Sequence, residues 1–141
     1  TLLRLREAAG DNIGANFDPS HLIWQGIDPA QAIRYLGKAI YHFHAKDTYL
    51  DQKNIAIKGV LDSAAYTNLQ DRSWTFRSVG YGLEEKAWRD MVTALRLVGY
   101  DYVLSIEHED PLASVEEGLG KAAAFLQKIV LKEAPASAWW I

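Results

Sequence analysis

The 141-residue chain contains no cysteine. This excludes disulfides and thiolate metal sites and gives no reason to place the chain in an oxidising compartment, so the cytoplasm is the expected location. Nor is there an apolar run near the roughly 18 residues needed to span a bilayer. No charged-then-apolar segment opens the chain, and no membrane association is expected. An excess of positive charge is also missing: 15 Lys and Arg stand against 18 Asp and Glu, for a formal net charge of −3. Broad electrostatic capture of nucleic acid is therefore not expected. What is present is 49% hydrophobic residues, enough to fill a core in a chain as long as one ordinary domain.

Along the chain, helical and strand-like patterns alternate. Residues 1–9 have helical apolar spacing and stop at Gly10. A helix over residues 28–36 is predicted from Asp28 as cap and Pro29 at its first position, with Gly37 ending it. Residues 84–98 form an amphipathic helix stopped by Gly99. A last helix spans 114–131, where Ser114 and Glu117 have capping-box spacing. Three short runs, residues 12–18, 40–44 and 102–107, read as strands between these helices. The long stretch 48–82 fits neither pattern cleanly. Within it, residues 54–60 and 73–79 alternate apolar and polar side chains, which predicts a hairpin or lid.

Helices alternating with strands imply right-handed crossovers and a parallel sheet. Three parallel strands leave two unpaired edges, whereas a closed (β/α)8 barrel takes eight strands and about 250 residues. The expectation is an α/β fold, a partial (β/α)8 barrel over residues 1–141 with helices outside, completed by further residues or by a second copy. A homo-oligomer through the strand edges follows, with Trp139, Trp140 and Ile141 joining the contact.

Each strand run ends in a potential metal ligand: Asp18, His44 and Glu107. Ligands gather at the carboxyl ends of parallel strands, so these three can converge although far apart in sequence. Side-chain alternation agrees in all three runs. Asn16 and Asp18 share a face, as do His42, His44 and Lys46, and Val103, Ser105 and Glu107. The opposite faces carry Phe17, Phe43 and Ile106, suited to packing under helices. Oxygen and imidazole donors suit Mg, Mn, Co or Zn, and the lack of sulfur leaves the choice among them open. Lys46 and Asp47 read as substrate contacts or as an ion pair. Trp24, Trp74 and Trp88 are candidates to line a sugar pocket, with burial favoured for Trp88 on its amphipathic helix.

The ordered set NFDPSHLIWQGIDP, YHFHAKD, the R-x-x-G-x-G turn at residues 77–82, a helix containing Trp88, and GYDYVLSIEHED resembles the xylose isomerase-like sugar (phosphate) isomerase/epimerase family. The likeness is to the carboxyl-terminal part of that TIM barrel, strands six to eight. It implies a divalent metal held by two glutamates, an aspartate and a histidine. Asp18, His44 and Glu107 match three of these ligands, and Glu107 also matches a proton-transfer carboxylate, the catalytic candidate. His21 matches a histidine that touches substrate or metal, and Arg77 a substrate-binding arginine. The second glutamate of the family lies on strand five, which precedes residue 1. Glu7 belongs to the opening helix and does not match it by motif.

The activity implied is metal-dependent isomerisation or epimerisation of a sugar or sugar phosphate through an enediolate. Three alternatives stand beside it: a non-catalytic binding or assembly module, a dehydratase on the same barrel, and an endonuclease IV-like nuclease. The last needs a basic face and more histidines than the four present.

Overall fold

The computed structural model describes residues 1–137. The terminal Trp139, Trp140 and Ile141, expected at a contact between copies, lie outside the described residues. Helix α1 (Leu2–Ala9) ends at Gly10, whose φ of 80° suits glycine. Strand β1 (Ala15–Phe17) is followed by a single helical turn, α2 (Ser20–Ile23). Helix α3 (Pro29–Leu36) starts at Asp28, whose carboxylate accepts from the amides of Ala30 and Gln31. Strand β2 (Ile40–Ala45) leads almost directly into β3 (Asp47–Leu50). Then come α4 (Gln52–Lys58), β4 (Trp74–Arg77), α5 (Glu85–Leu97), β5 (Leu104–Ile106) and α6 (Val115–Ile129).

Strands β1, β2 and β5 form a parallel sheet with β2 in the centre. Asn16 is in register with His42, and His44 with Ser105, so the anticipated polar faces line up across the sheet. The opposite face, carrying Phe17, Phe43 and Ala45, packs against Ile33 of α3, Trp88, Met91 and Leu95 of α5, and Ala122 and Leu126 of α6. Burying an aliphatic or aromatic side chain of this size contributes about 1.5–3 kcal/mol. This single core holds the helices on one side of the sheet and leaves the ligand-bearing side open. The arrangement is a partial barrel, as expected, and the described strands do not close on themselves.

The lid region differs from its sequence reading. Residues 73–79 do contain a strand, β4, but its antiparallel partner is β3 and not residues 54–60. The latter lie largely in α4, which the Asp51 carboxylate caps by accepting from the Asn54 amide and which Gly59 ends at a φ of 73°. The alternation of Ile55 and Ile57 is overridden by these local stop and start signals. Helix α6 also departs in detail: Ser114 accepts from the Glu117 amide, while the Glu117 side chain pairs with Lys121 instead of closing a capping box. Among the described residues no helix is long and apolar enough to cross a membrane.

Candidate metal centre

The carboxyl ends of β1, β2 and β5 bring Asp18, His44 and Glu107 together. One ligand atom from each lies within 4.8 Å of the other two, and all three side chains are partly exposed. His44 Nδ1 is 2.7 Å from Glu107 Oε2, and His44 Nε2 is 3.3 Å from the Asn16 side-chain nitrogen. Contacts at both ring nitrogens, Glu107 at Nδ1 and Asn16 at Nε2, orient the imidazole. Asp18 is fixed on the other side: its Oδ1 accepts from the Ser20 amide at 2.9 Å and the Ser20 hydroxyl at 2.7 Å. Oδ2 is left turned toward the site. Two carboxylates and an imidazole at this spacing are a donor set that fits a divalent cation of the Mg, Mn, Co or Zn type.

Lys46 is the central electrostatic element. Its Nζ lies 3.0 Å from Glu107 Oε1, 3.2 Å from Asp18 Oδ2 and 3.3 Å from Glu109 Oε1, and its side chain is only 2% exposed. The Phe76 ring covers the ammonium at 4.5 Å. Burial pulls the Lys46 pKa down, but the hydrogen bond to Glu107 and the charges of Asp18 and Glu109 outweigh it, and the net shift is upward. Burial likewise pushes Glu107 up, while the hydrogen bond from Lys46 and the charges of Lys46 and His44 draw it below its ordinary 4.5.

Lys46 and Asp47, read from the sequence as substrate contacts or an ion pair, have different surroundings. Asp47 is fully buried and its two oxygens receive five N–H donors: the amides of Thr48, Gly80, Gly82 and Leu83, and the Trp88 indole. It therefore anchors the Gly80–Gly82 turn and α5 to β3. The indole bond also accounts for Trp88, which is buried in the core and not part of a pocket wall. Lys46 does not pair with Asp47 and does not face the open mouth; three carboxylates enclose it.

His21 is half-exposed at 54%, with Nε2 3.5 Å from Asp18 Oδ2 and its ring edge-on to Phe76. It stands at the rim of the cluster. Trp24 and Trp74 stack at 5.0 Å, and Trp74 continues to Phe76 at 5.2 Å, forming an aromatic wall beside His21. Arg77 is held elsewhere. Its Nε donates to Asp110 at 3.0 Å and its guanidinium lies over Tyr81, and among the described residues no ion pair joins it to the ligand cluster. Glu109 is the third carboxylate on Lys46.

Comparison with known proteins agrees with this geometry. Over 130 residues the chain is 37% identical to the uncharacterized protein YfiH of Bacillus subtilis (strain 168), covering 92% of this chain and 42% of that protein. A xylose isomerase domain protein from Planctomyces limnophilus superposes with a TM-score of 0.60 at 26% identity, over 91% of this chain and 43% of the other. The chain thus spans less than half the length of these two relatives. Residues 1–129 match the family model of the xylose isomerase-like TIM barrel. A parallel sheet with Asp18, His44 and Glu107 at its aligned strand ends, and a match over nearly the whole chain, establish that this protein belongs to the xylose isomerase-like TIM barrel family.

Proposed function

We propose that this chain carries the metal-binding half of an isomerase or epimerase acting on a sugar or sugar phosphate. The convergence of Asp18, His44 and Glu107 at the ends of three adjacent strands supports this reading most directly. A divalent cation held by those three side chains would polarise a substrate carbonyl and neighbouring hydroxyl and stabilise the charge of an enediolate. Glu107 is the proton-transfer group: it is partly exposed, sits beside the ligand cluster, and is kept ionised at neutral pH by Lys46. Asn16 and Ser20 orient His44 and Asp18, so the donor atoms are set before any ligand arrives. His21, at the rim beside Phe76, supplies a hydrogen bond to a sugar hydroxyl.

The test is Mn²⁺ binding to the purified chain by calorimetry, followed by a screen of aldoses, ketoses and their phosphates for turnover. One equivalent of Mn²⁺ is expected, with affinity falling at least tenfold in His44→Ala and in Glu107→Ala. Mn²⁺ bound equally well by all three proteins would place the ion elsewhere and overturn the reading. Binding without turnover of any sugar would instead favour a binding module.

A further inference from the structure

The order of the sheet puts Lys46, the residue just past its central strand, between carboxylates that follow both neighbouring strands. Asp18 follows β1 and Glu107 follows β5, and Lys46, which follows β2, reaches both, at 3.2 and 3.0 Å. These are the two carboxylates a metal needs. The third partner, Glu109, is 48% exposed and is not among the converging ligands, yet it lies 3.3 Å from the same ammonium. Two like charges brought to one point repel unless a cation stands between them. In the metal-free protein that cation is Lys46, fixed by its buried stem and the Phe76 ring. Three carboxylates against one ammonium leave two negative charges, the charge of one divalent ion.

We propose that Lys46 is a resident cation of the metal centre, which holds Asp18 and Glu107 in the metal-free protein and is handed over to Glu109 when a divalent ion takes those carboxylates. The idea rests on the metal reading above and goes beyond it by making metal entry an exchange of cations. Lys46 is thus a positioning residue that opposes metal binding, and Glu109 is a parking site that favours it. The exchange needs no large motion, because all three carboxylates already touch the ammonium.

The experiment is a double-mutant cycle read as Mn²⁺ affinity by calorimetry, together with melting temperatures without metal. Lys46→Met should tighten Mn²⁺ binding by roughly tenfold or more, since it removes a positive charge a few ångströms from the ion. It should also lower the metal-free melting temperature and enlarge the rise that Mn²⁺ produces. Glu109→Gln, an exposed substitution that does not threaten folding, should weaken Mn²⁺ binding severalfold with Lys46 present and much less in the Lys46→Met background. Unchanged or weaker binding in Lys46→Met overturns the exchange, as does a Glu109→Gln effect of equal size in both backgrounds. If Lys46→Met fails to fold, Glu109→Gln combined with Lys46→Gln supplies the same comparison. Failure of the parent chain and of Lys46→Met alike to bind Mn²⁺ overturns the metal reading and the exchange together. Binding by the parent with no response to either substitution overturns the exchange alone.

Discussion

Individual side chains here are committed by their neighbours more than by their chemical type. Asp110 is a case in point. It accepts from the Ser78 and Leu112 amides at 2.8 and 2.9 Å and from Arg77, and although burial pushes its carboxyl up, these donors hold it below its ordinary 3.8. Glu107 is lowered below 4.5 in the same sense. A carboxyl whose folded-state pKa is depressed stabilises the fold fully above its unfolded value, and that contribution disappears as pH falls through the folded value. Stability from both groups should therefore be constant above about pH 5 and decline in acid. Asp110→Asn should flatten the acid limb and lower the neutral-pH stability, as measured by urea unfolding between pH 2 and 7. An acid limb as steep as the parent's would show that Asp110 is not responsible. The convergence of Asp18, His44 and Glu107 was legible because each ends a strand-like run. The engagement of Lys46 and Asp47 was not, because burial and partners depend on β4 and the turn after it, more than 25 residues away.

Among the elements, helices were the easier to read. Asp28 with Pro29, Ser114, and Gly10, Gly37 and Gly99 mark starts and stops locally, and α1, α3, α5 and α6 follow them closely. The outer strands β1 and β5 are shorter than their runs, since only part of each has a paired neighbour, whereas the central β2 extends one residue past its run. The β3–β4 pair was half missed: β3 is four residues long and its partner lies beyond α4, so no short-range turn signal announces it. What ties this pair to the barrel segment is the turn at Gly80–Gly82. A side chain on Gly82 would fall onto the Thr48 carbonyl and lie 2.6 Å from Asp47 Oδ1, disturbing the carboxylate that five donors share. Gly82→Ala should destabilise by about 2 kcal/mol, the usual range for forcing atoms into a packed site being 1–3. Thermal unfolding checks this, and an unchanged melting temperature would mean that the turn is not a rigid anchor.

At the scale of the molecule, the sheet has two outer strands, β1 and β5, each paired on one side only. Tyr41, Tyr102 and Val103, on or beside the sheet, are exposed. Unpaired edges of this kind recruit other strands. The 141-residue chain should therefore self-associate, two copies covering each other's edges, with sedimentation velocity showing a mass that rises with concentration. A single monomer species at high concentration would refute it. Local pattern in this chain was sufficient for the alternation of helices and strands, for which strand face is polar, and for the three side chains that end the strands, because caps, glycines and period-two alternation act within a few residues. It did not contain the placement of β2 between β1 and β5, the pairing of β3 with β4, or the enclosure of Lys46 by three carboxylates. Those depend on contacts between residues from 24 positions apart, as in Leu50 with Trp74, to 63 apart, as in Lys46 with Glu109, and such contacts exist only once the core under the sheet has packed.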